Sequence, residues 1–108
     1  MIQQEAFMQE MTTLESVQDA LKISHQTTML LFHAPWCSMC QMYTFVVRRF
    51  SDANPNVRIL GIDISKYPEI SDHFSILNTP TTMIFKAGEH IKTIVGPVSQ
   101  RMLQSYIK

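Results

Sequence analysis

Apolar and polar positions follow a helical rhythm early in the chain and a strand-like one after it. Leu14, Val17 and Leu21, with Ala20 beside them, recur at helical spacing and predict one buried face through about Ile23. Thr12 and Glu15 stand at capping-box spacing just ahead of it. Upstream, Phe7 and Met11 can anchor a short edge strand or an extra helical turn. Ser24 to Thr27 is a polar break. Thr28 to Ala34 is then apolar except for His33. That run is too short for a solitary helix and suits a central strand covered on both sides.

Pro35 closes that strand, and a second helix is predicted from about Ser38 to Ala53. Met42, Phe45 or Val46, and Phe50 mark its inward stripe, Arg48 and Arg49 face solvent, and Asn54-Pro55 ends it. Val57 to Ile62 reads as a second buried strand, finishing at Gly61-Ile62-Asp63. Ser65 to Phe74 is a short helical segment. Its regular part starts near Tyr67, because a residue before proline is biased away from the α region. Thr81 to Phe85 and His90 to Val95 flank the turn Lys86-Ala87-Gly88-Glu89 and suit an antiparallel hairpin. Gly96-Pro97 breaks the last strand. Ser99 can cap a final helix with Met102, Leu103, Tyr106 and Ile107 on its apolar face. The order (β)αβαβαββα predicts an α/β sandwich, parallel through its βαβ part and antiparallel in the closing hairpin.

Length and charge narrow the function. A chain of 108 residues without repeat or linker is expected to be a single domain, 1–108, and a monomer. Nine basic residues balance nine acidic ones, which argues against a nucleic-acid footprint or a polybasic membrane anchor. No apolar run approaches the roughly 20 residues of a membrane-spanning helix. Met1-Ile2-Gln3-Gln4-Glu5 has neither a positive nor an apolar signal region, and two cysteines make no disulfide scaffold. A cytoplasmic protein is expected.

The chemistry centres on Trp36-Cys37-Ser38-Met39-Cys40. Two cysteines three apart at a helix start place the first at the exposed N-terminal end and the second one turn in. The unpaired N–H groups and the helix dipole there favour an anion, here a thiolate. A cysteine at its ordinary pKa of ~8.5 is about 3% ionised at pH 7, and one lowered to ~7 is about half ionised. A small inert buried pair and half of a zinc site are the competing readings. A closed zinc site needs four ligands, and the remaining candidates His25, His33, His73 and His90 show no His-x-x-x-His spacing. Haem attachment needs histidine directly after the second cysteine, where Gln41 stands. Met39 and Met42 invite copper, but methionine on an apolar helix face is usually packing, which is the reading favoured for Met42. Met39, between the cysteines, is placed to touch substrate. His25, His73, His90 and Lys92 read as solvated surface.

A wider pattern surrounds the cysteines: Phe32-His33-Ala34-Pro35-Trp36-Cys37, then Ile62-Asp63, Thr79-Pro80-Thr81, Phe85-Lys86-Ala87-Gly88-Glu89 and Val95-Gly96. In this the chain resembles the thioredoxin family over nearly its whole length. The resemblance implies a central mixed sheet of four to five strands flanked by helices on both faces. It also implies a redox disulfide Cys37–Cys40, with Cys37 attacking and Cys40 resolving, and a cis bond before Pro80, where a trans turn proline is otherwise the default. Trp36, Thr79, Pro80 and Gly96 would form the substrate-docking surface. Protein disulfides would be the substrates, a thioredoxin reductase the electron donor, and no cofactor or metal would be bound.

The chain departs from the family in ways that bear on its chemistry. The family's buried acid before the motif falls at Leu31, so Cys40 must lose its proton by another route. Ser38-Met39 replaces the usual Gly-Pro, a pair that tunes the potential, at about 1.4 kcal/mol for each ~30 mV. Phe45 replaces the family's helix proline and reduces the expected kink. His33 replaces an aromatic residue close to the position of Asp63, so a His33–Asp63 pair can tune the thiols, although Asp63 can equally be a plain strand end. A thiol–disulfide oxidoreductase is the leading expectation. The alternative is a binding, adaptor or metal-carrying module with slow or no turnover, favoured by Leu31.

Overall fold

The computed structural model describes residues 7–23 and 25–107. Ser24 of the expected polar break and the side chain of Ile23 lie outside them. The strands are β1 (Gln9–Glu10), β2 (Thr27–His33), β3 (Arg58–Asp63), β4 (Thr81–Lys86) and β5 (Glu89–Val95). The helices are α1 (Leu14–Ile23), α2 (Ser38–Ala53), α3 (Pro68–His73) and α4 (Gln100–Tyr106). The sheet order is β1-β3-β2-β4-β5. β1, β3 and β2 run parallel, and β4 is antiparallel to both β2 and β5. This is the thioredoxin fold.

The continuous apolar run of β2 exists because both faces of the sheet are covered. Met29 and Leu31 point into one core with Tyr43, Val47 and Phe50 of α2 and Leu103 of α4. Leu30 and Phe32 point the other way, among Val17, Ala20 and Leu21 of α1 and Ile70 of α3. With side chains alternating every residue, no position between the two ends of this strand meets solvent. Ala87 and Gly88, with φ 52 and 83°, form the two-residue turn between β4 and β5. Positive φ at both central positions is the backbone a tight hairpin needs. At the far end of α2, Asn54 and Gln104 exchange amide hydrogen bonds of 2.7 and 3.0 Å, tying that helix to α4. Lys92, exposed as expected, sets its ammonium 5.2 Å over the Tyr106 ring.

Three expectations are corrected. The cap of α1 is Thr13, whose Oγ1 accepts from the Ser16 amide at 3.0 Å. The helix starts one residue late for a Thr12–Glu15 box, leaving Thr12 exposed. The inward stripe of α2 is Cys40, Tyr43, Val47 and Phe50. Met42 and Phe45 are 72% and 70% exposed, so the packing role expected of Met42 does not hold. Cys40 is carried on the buried face, which rotates the helix so that position 42 points outward. Met102, 43% exposed, likewise lies off the face that buries Leu103.

Candidate functional site

β2 delivers the chain to the site. It ends at His33, the chain turns through Pro35 and Trp36, and the Cys37 amide donates back to the Ala34 carbonyl at 3.2 Å. Cys37 then caps α2 with extended backbone (φ −91°, ψ 100°). Its Sγ accepts the Cys40 N–H at 3.1 Å, taking the place a serine or aspartate oxygen fills in an ordinary cap. Cys37 and Cys40 are joined as a disulfide, with Cα atoms 5.2 Å apart. Both are buried, Cys37 at 9% exposure where sequence placed the first thiol at an exposed end, and they pack with Ala34 and Ile64. Beside them Trp36 stands 70% exposed and Met39 52%.

Strand register brings the other expected residues to the same end of the sheet. Phe32 of β2 pairs with Thr81 of β4, so the preceding Thr79–Pro80 runs alongside the end of β2. That peptide bond is cis. Thr81 in turn pairs with Val95, and the Gly96 amide donates to the Pro80 carbonyl at 2.8 Å. Gly96 has φ 89°, and a Cβ there would meet nothing within 4 Å, so its glycine answers to conformation rather than to space.

The His33–Asp63 pairing expected from sequence is only partly what forms. The two are register partners in adjacent strands. Yet His33 Nε2 lies 3.1 and 3.2 Å from the two carboxylate oxygens of Glu10 on β1. Asp63 Oδ1 instead accepts from the Ser65 amide and hydroxyl at 2.9 and 2.6 Å. Burial works to raise the Asp63 pKa, but the Ser65 bonds and the nearby charges of His33 and Lys66 outweigh it and hold it below its ordinary value. Glu10 is the residue that sequence reading missed. The available signal was Gly61, because a glycine inside a buried strand marks a close approach.

A groove of about 380 Å³ opens beside the disulfide. Its wall includes Glu10, His33, Asp63, Lys66 and Cys40. Leu31 is 1% exposed and sits in the core with Met29, Ile59 and Ile84. His25, His73 and His90 are exposed and apart from the cysteines in sequence and element. Among the described residues, no group of three or more His, Cys, Asp or Glu side chains is arranged to hold a metal ion, and no helix is long and apolar enough to cross a membrane.

The Thioredoxin family profile matches residues 8–108. A thioredoxin of Rickettsia bellii is 33% identical over 96 residues, covering 88% of this chain and 91% of that protein. Thioredoxin-2 of Pyricularia oryzae is 31% identical over 86 residues, 80% of this chain, which spans only 50% of that longer protein. In structure, oxidized mitochondrial thioredoxin 3 of Saccharomyces cerevisiae superposes with a TM-score of 0.88 at 24% identity, covering 97% of each chain. The chain belongs to the thioredoxin family, and it carries the close cysteine pair of a thiol–disulfide oxidoreductase.

Proposed function

We propose that this chain is a cytoplasmic, monomeric, single-domain reductant of protein disulfides that works through Cys37 and Cys40. The observation that carries this reading is the Cys40 N–H aimed at Cys37 Sγ, at a helix start where developing negative charge on sulfur is stabilised. Reduced Cys37 attacks a substrate disulfide as the thiolate and forms a mixed disulfide, releasing one substrate sulfur as thiolate. Cys40 then attacks Cys37 Sγ, closing the pair and releasing the second substrate sulfur. Two electrons pass to the substrate. A thioredoxin reductase would return them to the oxidised pair.

The substrate chain lies over Trp36, with the Thr79 backbone, Pro80 and Gly96 on the other side of the cysteines. Exposure of Trp36 and the Gly96–Pro80 hydrogen bond support that surface. The adaptor reading draws on one observation, the apolar surroundings of Leu31 where the family keeps an acid. Insulin disulfide reduction with a dithiol supplied separates the two. Turnover that Cys37→Ser abolishes supports the enzyme, and stoichiometric partner binding without turnover supports the adaptor. A reduction potential near the ~−270 mV of thioredoxin itself supports the reducing direction, whereas one near ~−120 mV, as in strong periplasmic oxidants, reverses it.

A further inference from the structure

We propose that Glu10 and His33 form the proton-accepting pair that deprotonates Cys40, through water in the groove they share with it. This rests on the dithiol cycle proposed above, in which Cys40 must lose its proton before it resolves the mixed disulfide.

Leu31 is packed among apolar side chains and offers no base. His33 follows two residues later on the same face of β2, at the point where the strand meets the groove. Its imidazole is held by both Glu10 oxygens, at 3.1 and 3.2 Å. The groove of about 380 Å³ has room for several water molecules, each taking roughly 30 Å³ in the liquid.

The pairing is built into the backbone across a whole strand. Glu10 is on β1 and His33 on β2, with β3 between them. The Glu10 side chain crosses β3 at Gly61, its register partner. A Cβ at Gly61 would stand 2.6 Å from Glu10 Oε2, 3.1 Å from its Cδ and 2.9 Å from Met8 Sδ. Gly61 has no positive φ, so conformation does not require glycine there. The space it leaves is what lets the carboxylate reach His33.

In the step, the Cys40 thiol passes its proton by groove water to the imidazole, and the imidazolium formed is held by the Glu10 carboxylate. The Cys40 thiolate then attacks Cys37 Sγ. The Cys37–Cys40 bond forms, the bond from Cys37 to the substrate sulfur breaks, and that sulfur leaves with the electron pair. Among the described residues that line the groove, the other charged or titratable side chains are Asp63 and Lys66, with Tyr67 at the start of α3. α2 adds Gln41 and Thr44, which carry no charge.

The test is a single turnover of the reduced full chain with dithiobis(nitrobenzoate), read by absorbance from about pH 5 to 8, the window in which histidine titrates. The first nitrothiolate released reports Cys37 attack, and the second reports resolution by Cys40. In wild type the second rate should rise with pH through one inflection. His33→Gln should remove that inflection and slow resolution about tenfold at neutral pH, below the 10²–10⁴ of a base in direct contact. Glu10→Gln should move the inflection to lower pH, because the imidazolium loses its counter-charge. Gly61→Ala should shift it the same way by pushing the Glu10 carboxylate off His33 without changing either residue. In all three the second release should change more than the first. Second-release profiles that superpose on wild type in His33→Gln and Glu10→Gln overturn the proposal, whatever Gly61→Ala does to folding. A wild-type chain with no second release overturns the dithiol cycle itself.

Discussion

The backbone N–H of Cys40 points at Cys37 Sγ from 3.1 Å. It is one of the first-turn donors of α2 that no carbonyl within the helix can reach. The first turn carries no acidic side chain to oppose a negative sulfur. Reduced Cys37 should therefore react with iodoacetamide at neutral pH about five to ten times faster than Cys40, the gain in thiolate offset partly by its lower nucleophilicity. Cys40→Ser keeps the amide and should keep the Cys37 rate. Equal rates at the two cysteines would show that the helix start does not activate the first.

Helix phase gives a second expectation. Met42 and Phe45 are mostly exposed on α2, whereas Val47 is fully buried. Met42→Lys and Phe45→Glu should each change stability by less than about 0.5 kcal/mol. Val47→Ala, which removes buried methyls and leaves a void, should cost about 2 kcal/mol. Urea midpoints at constant slope measure all three. A large loss from Phe45→Glu would mean that this face is covered in solution.

These outcomes also mark where sequence was readable. The ends of α2 and, to within a residue, the extents of β2 and β4 were legible because continuous apolar runs and proline breaks permit few alternatives. The rotation of α2 was not, because apolar residues at 42, 43, 45, 46, 47 and 50 support overlapping stripes. Only the burial of Cys40 selects between them. The Cys37–Cys40 region was legible from local spacing, and the Thr79–Pro80 and Gly96 loops from the family pattern. Glu10 was not: Gly61 signals a close approach to β3, but that Glu10 makes it depends on β1 lying beyond β3, a fact of sheet order that no local window contains.

Tyr43 and Thr82 join α2 to β4 through hydroxyls 2.9 Å apart, with both side chains buried. Tyr43→Phe removes the partner of a buried hydroxyl and should cost about 1–3 kcal/mol. Adding Thr82→Val should cost less than the two single losses summed, because the orphaned group is gone. Burial pushes the Tyr43 pKa above its ordinary 10.0, with the Thr82 bond offsetting part of the rise. The unfolded chain therefore ionises first on alkalinisation. The contribution of the neutral phenol is complete below pH ~10 and is lost as pH climbs toward the folded value. Tyr43→Phe should show a shallower stability decline above that point. An equal decline would assign alkaline unfolding to other groups.

Asp63 predicts the opposite limb. Burial acts to raise its pKa, yet the two Ser65 bonds and the charges of His33 and Lys66 prevail and leave it below its ordinary 3.8. A carboxyl with a depressed folded pKa stabilises the native state above the unfolded value and loses that contribution as pH falls through the folded one. The group is partly exposed at the end of β3, so solvent screening keeps the effect small. On acidification below about pH 4, wild type should lose denaturant midpoint more steeply than Asp63→Asn, which has no proton to gain there. Ser65→Ala should flatten the same limb by removing the 2.6 Å hydroxyl bond. If Asp63→Asn falls as steeply as wild type, the Ser65 turn holds a protonated carboxyl as well as an ionised one, and other carboxylates set the acid limb.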